Sequence, residues 1–201
     1  METNESKWTI RDLITAVLLS MLMIVVQVIL NIVFMANNFM SMVLSTAIIV
    51  LVLGIIYVVL VTRVPKRGVT LLFCTMCGIV YLLSGNWYLL PWFILVGLVS
   101  EAILWKRGSY SNPKRIIASW TANGLLHQGT NLLPILFFWD VYYSFAMESG
   151  MDQSYVDDYL KYYTEPGWLA FILILTLVCA FVGALIGTKL LDKHFRKAGV
   201  L

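Results

Sequence analysis

Long apolar runs separated by short polar breaks dominate the chain. They lie near residues 13–35, 39–62, 69–84, 87–105, 116–138 and 167–191. Each is close to the roughly 20 residues that a helix needs to cross a hydrocarbon core of about 30 Å. The run at 69–84 is the shortest. The pattern predicts an all-α membrane protein, a bundle of six transmembrane helices. Residues 1–12 form a polar head that ends in an amphipathic entry. Its polar, partly acidic start (METNESKWTIRDL) and the long run behind it do not fit a cleaved leader peptide. No repeat, low-complexity tract or linker interrupts the chain, so 1–201 is expected to form a single domain.

Composition sharpens this picture. Sixty per cent of the 201 residues are hydrophobic and 12% are charged. A soluble domain averages about 45–50% apolar and about 25% charged. A water-soluble fold of this length could not cover so much apolar surface.

The placement of charge then gives a direction. Six helices that start inside the cell put both termini and the loops 63–68 and 106–115 in the cytoplasm. Of the 14 Lys and Arg residues, all but Lys161 fall in those regions, as the excess of basic residues on the cytoplasmic side requires. The long outer loop, about 139–166, holds Asp140, Glu148, Asp152, Asp157, Asp158 and Glu165 against Lys161 alone.

Several chemistries have no motif here. There is no G-x-x-x-x-G-K-[ST] phosphate loop, no H-E-x-x-H and no acidic metal cluster. No cofactor, resident metal or nucleic-acid partner is expected. Cys74 and Cys77 form a C-x-x-C, but within LLFCTMCGIV they read as small packing residues of a helix. The third cysteine, Cys179, also sits in an apolar run, so no disulfide framework is expected. His194 sits in a basic tail and reads as a solvated residue.

Helix five carries more information. Trp120, Asn123, His127 and Asn131 recur at spacings of three and four, which places them on one face. Gln128 adjoins that face. Polar groups at bilayer depth are costly and point into a bundle or a wet cavity. The stripe therefore either lines a substrate pocket or supplies interhelical hydrogen bonds.

Aromatic residues crowd the outer side: Trp87, Tyr88 and Trp92 flank the start of helix four, Phe137, Phe138, Trp139, Tyr142 and Tyr143 sit at the end of helix five, and Tyr155, Tyr159, Tyr162, Tyr163 and Trp168 lead into helix six. They suit an interfacial belt or a lid over a flat, partly apolar ligand. The segment ESGMDQSYVDDYLKYYTEP is expected to form a short amphipathic helix with Tyr155, Tyr159 and Tyr162 on one side. Small residues four apart, Ala16 and Ser20, mark a close-approach face on helix one. Gly183, Ala184 and Gly187 mark another on the last helix, read as internal packing. Glu101, near the inner end of helix four, is expected to pair with a cytoplasmic Arg or Lys.

The stretches LLPILFFWDVYYSFAMESGMDQSYVDDYL, VGALIGTKLLDKHFRKAGVL, VTRVPKRGV and YLLSGNWYLLPWFILVGLVSEAIL resemble the Trep_Strep family of bacterial integral membrane proteins. That family is similar to the substrate-binding S components of energy-coupling factor (ECF) transporters. The resemblance implies a six-helix, bacterial plasma-membrane protein that captures a vitamin or other micronutrient from outside. It also implies docking on a transmembrane coupling protein driven by two cytoplasmic ATPase subunits. Helix one of S components carries an A-x-x-x-A docking motif, which corresponds here to Ala16 and Ser20. The ligand would lie in the outer half, where Asn86, Trp87, Trp92, Asn123, His127, Asn131, Trp139 and Asp140 are the candidate binding residues.

Two other readings remain. One is an intramembrane enzyme with His127 and Asp140 as acid and base, although continuous helix would hold them about 20 Å apart. The other is a stand-alone channel or transporter, for which no inverted repeat is visible.

Overall fold

A computed structural model describes residues 7–195. Arg196 and Lys197, counted above with the cytoplasmic charges, lie outside the described residues. All regular structure among the described residues is helical. The helices are α1 (Ile10–Phe34), α2 (Ser45–Arg63), α3 (Val69–Leu83), α4 (Leu89–Leu104), α5 (Pro113–His127), α6 (Gly129–Phe137), α7 (Trp139–Glu148), α8 (Gln153–Thr164) and α9 (Pro166–Phe195). Among the described residues, three stretches are long and apolar enough to span a bilayer: Ile10–Phe34, Met40–Arg63 and Pro166–Lys193. Val69–Leu83 and Leu89–Leu104 are shorter apolar helices.

Local sequence explains the starts of three helices. The Thr9 hydroxyl accepts from the Asp12 N–H, and the Asp12 carboxylate accepts from the Thr9 N–H. This capping box starts α1. Asn112 caps α5, and Pro113 occupies its first turn, where the missing N–H costs nothing. Asp152 caps α8 by accepting from the Tyr155 N–H. That bond, with a second from the Ser154 hydroxyl, holds its carboxyl below the usual carboxylate range.

Two expected segments differ in form. The fifth run is two helices that meet at Gln128, whose N–H reaches back only three residues to the Leu125 carbonyl. Pro134 adds a second interruption, because it has no N–H to return to the Thr130 carbonyl. The outer loop is also mostly helical. α7 and α8 are joined by a turn through Gly150, whose φ of 77° favours glycine. The expected amphipathic helix is α8, with Val156, Tyr159, Tyr162 and Tyr163 on its buried face.

The tightest crossing is between α2 and α9. A Cβ added at Gly54 would lie 2.8 Å from the Ala184 nitrogen, and one at Gly183 would meet the Leu51 backbone. Gly187 abuts Ile55 and Val58. Gly183 and Gly187 thus serve internal packing, as expected. Trp120 locks α5 onto this pair: its indole N–H donates to the Val50 carbonyl (2.8 Å) and its ring packs on Tyr57 at 4.6 Å.

The loops sort to two ends. At one, the Trp8 indole donates to the Arg67 carbonyl (3.0 Å), Lys66 lies 3.9 Å from Asp12, and the Arg67 guanidinium sits over Trp105 at 4.9 Å. At the other, Asn38 donates to Asp158 (2.9 Å), Tyr88 stacks on Phe138 at 4.5 Å, and Phe39 meets Tyr162 and Trp168 edge-on. The basic loops share the first end. The acidic, ring-rich segment shares the second.

Two expectations change. Ala16 and Ser20 are fully buried, with Ala16 part of the core, so neither presents a surface to a second protein in this arrangement. The exposed side of α1 consists of bulky residues such as Leu18, Met21, Val25 and Ile32. Glu101, expected to pair with a cytoplasmic Arg or Lys, has partners of another kind. Its two oxygens accept from the Thr70 N–H at the start of α3 (2.7 Å) and from the Tyr110 hydroxyl (2.6 Å). It ties α4 to the first turn of α3, where a carboxylate is favoured by the helix dipole.

Candidate functional site

At the ring-rich end a cavity of about 290 Å³ opens between α1, the start of α2 and the α5–α6 junction. Tyr142 of α7 with Tyr155 and Tyr159 of α8 covers it from the side of the former loop. Its wall brings polar groups together with apolar ones such as Ile49 and Leu89. Gln27 and Asn31 come from α1, Tyr81 from α3, and His127 and Asn131 from the α5–α6 junction. Ser45 and Thr46 come from the start of α2.

Local irregularities create this wall. Residues Met40–Leu44 form a short π-helical stretch before α2. Such bulges free backbone groups and recur at functional sites. Here the Met42 carbonyl turns out to accept from the Tyr163 hydroxyl (2.7 Å), which anchors α8. The break at Gln128 does the same on the facing side. The Asn131 carbonyl accepts from the Tyr159 hydroxyl, and the Asn131 amide donates to Gln128 Oε1 (3.1 Å). Gln128 in turn donates to Thr176 of α9 (2.7 Å). Tyr142 and Tyr159 stack at 4.8 Å. Burial raises both phenols above their ordinary value, so they remain neutral.

His127 is 6% exposed. Its Nε2 lies 3.4 Å from Gln27 Nε2, and its ring meets Phe93 edge-on at 5.1 Å. An amide nitrogen can only donate, so this contact requires His127 Nε2 as acceptor, the role that nitrogen has in the tautomer with its proton on Nδ1. The Gln27 amide also donates to the Tyr81 hydroxyl (3.1 Å).

Asn86, His127 and Asn131 line the cavity; the other five candidate ligand residues do not. Asn123 is buried one helical turn further in, where it donates to Cys74 Sγ (3.2 Å) and Ser100 Oγ (3.1 Å). The polar stripe on helix five thus divides. Trp120 and Asn123 hold helices together, and His127 and Asn131 face the cavity. Trp92 donates to the Leu126 carbonyl (2.9 Å) and packs its indole on Gly129. Trp87 is 52% exposed, with its ring against Tyr88 and Phe138. Trp139 packs on Tyr142 and Tyr143, and Asp140 is exposed on α7. The His127–Asp140 acid–base pair is therefore not formed.

The Trp92–Gly129 contact leaves no room for a methyl group. Gly129→Ala should displace the indole and lower stability by about 1–3 kcal/mol, the usual cost of overpacking. Thermal unfolding in detergent, read by tryptophan fluorescence, checks this.

Gln27, Tyr81, Ser45 and Thr46 did not stand out in the sequence. A signal for the first was present: Gln27 and Asn31 are four apart within MLMIVVQVILNIVF and so share a face of α1. Nothing along the chain marks Tyr81, Ser45 or Thr46, because their side chains reach the cavity only through packing.

Fold and site together define a polytopic, all-α membrane protein with a polar cavity at its acidic, ring-rich end. The chain belongs to the Trep_Strep family, described as hypothetical bacterial integral membrane proteins, whose family model matches residues 10–197. No curated protein and no solved structure matches it.

Proposed function

We propose that this protein is the substrate-binding S component of an ECF-type transporter. It captures a small nutrient in the cavity bounded by Gln27, His127 and Asn131 and delivers it inward with a coupling protein and two ATPases. The reading rests chiefly on that cavity: about 290 Å³, with several polar groups in its wall, and covered by α7 and α8. The volume sits at the lower edge of the range of about 300–1,000 Å³ for small-molecule sites.

The orientation follows from charge. With the basic end in the cytoplasm, as the positive-inside rule requires, the cavity faces out and both termini face in. α1, Met40–Arg63, α3, α4, α5 with α6, and α9 then make six crossings. The missing phosphate loop fits ATPases carried on separate chains. Contact with the coupling protein falls to the exposed side of α1, since Ala16 and Ser20 are buried.

Coexpression with the coupling protein and ATPases of the same cell should yield a copurifying four-subunit assembly. Mass spectrometry of the purified chain should release one small molecule in near-stoichiometric amount. Failure to assemble with any such module sinks the reading. Uptake into liposomes by this chain alone would point instead to a stand-alone transporter.

A further inference from the structure

Two features of the cavity limit what it can hold. The first is charge. No Asp, Glu, Lys or Arg is among its lining residues. An ionised ligand would leave water for a site that offers no opposite charge, which is strongly unfavourable. The second is an unmatched hydrogen-bonding group. Gln27 is 6% exposed, and its amide nitrogen lies 3.1 Å from the Tyr81 hydroxyl and 3.4 Å from His127 Nε2. Its Oε1 is buried and has no hydrogen-bond partner. Buried polar atoms are almost always paired, and exceptions call for a cause. One turn along α1, Asn31 puts a second carboxamide on the same wall.

We propose that the cavity takes an uncharged ligand bearing an amide- or lactam-type edge, with Gln27 as its specificity-determining residue. The ligand N–H donates to Gln27 Oε1, and the adjacent ligand carbonyl accepts from the Asn31 amide. His127 acts as a positioning residue: as an acceptor it fixes the Gln27 amide with its oxygen free. This deepens the nutrient-capture reading and rests on it.

The test uses the full chain in lipid nanodiscs and matched probes: benzamide against benzoate, pyrazinamide against pyrazinoate, and N,N-dimethylbenzamide as the amide without an N–H. Binding is read by thermal shift and by saturation-transfer NMR. The amides should bind, the carboxylates should not, and N,N-dimethylbenzamide should bind at least about fivefold more weakly than benzamide, as expected for one lost hydrogen bond. Gln27→Met keeps the side-chain length and should weaken benzamide by a similar factor. Should that variant fail to fold, Tyr81→Phe removes the hydroxyl that orients Gln27 and should weaken benzamide several-fold.

Carboxylates binding as well as amides would overturn the proposal. So would benzamide binding unchanged in the folded variant, or no response from any probe. Assembly with the ATPase module separates the two claims. Assembly without amide binding removes the ligand class and leaves the transport reading, whereas amide binding without assembly does the reverse.

Discussion

Gly183→Val should leave almost no folded protein. At this position α9 lies directly on the Leu51 backbone of α2, so a side chain would meet main chain that cannot swing aside. The helices must separate or slide. Either movement also loosens Trp120, whose indole fits against Gly54 and donates to the Val50 carbonyl. Overpacking against movable side chains costs about 1–3 kcal/mol. Against backbone the cost should exceed that range, which is a large fraction of a typical total stability of about 5–15 kcal/mol. Gly167→Val in the same helix is the control, since nothing lies within 4 Å of a Cβ there. Monodisperse yield on size exclusion, with thermal unfolding of whatever folds, should separate the two variants sharply. Equal behaviour would mean that α2 and α9 do not cross at Gly183.

Loss of the Glu101 carboxylate should be nearly as damaging. Glu101→Ala strands the Thr70 N–H and the Tyr110 hydroxyl inside the protein. Each unsatisfied group costs about 1–3 kcal/mol, so a loss of about 3–5 kcal/mol is expected once the vacated volume is included. Glu101→Gln should recover roughly half. Its carbonyl can still accept from Thr70, and its amide can donate to a Tyr110 hydroxyl that turns to accept. Denaturation midpoints of the two variants give the comparison. If alanine and glutamine are equivalent, the carboxylate is not holding α3 and α4 together as described.

Both positions show how far the sequence could be read. Gly183, Ala184 and Gly187 were legible as a close-packing face because small residues at helical spacing can mean little else in an apolar run. Which helix they meet was not legible: the partner, α2, is more than 120 residues away in sequence. Glu101 looked like half of an ion pair because basic residues follow it closely along the chain. Folding instead brings it the first turn of α3, whose unpaired N–H groups are stronger competitors for a buried carboxylate than a lysine that can stay in water.

Helix five makes the same point. Period and polarity put four groups on one face of an unbroken helix. They could not show that the helix breaks at Gln128, nor that the break assigns Asn123 to the scaffold and Asn131 to the cavity. Ala16 and Ser20 carried the spacing of an intermolecular contact, yet both are buried within the chain, Ala16 in its core. Spacing records that something approaches closely; it does not record whether the neighbour belongs to the same chain.

The sequence by itself therefore determined the membrane environment, the helical class, the positions of the apolar segments and the sorting of charge between the two ends. These depend on the one-dimensional order of apolar and charged residues, and the cost of exposing backbone or charge to lipid leaves few alternatives. Tertiary structure alone decided the site. Gln27, Tyr81, His127 and Asn131 come from four helices, and their convergence depends on crossing points set by glycines and on two local helix irregularities. Those are properties of packing between distant segments, and no local pattern encodes them.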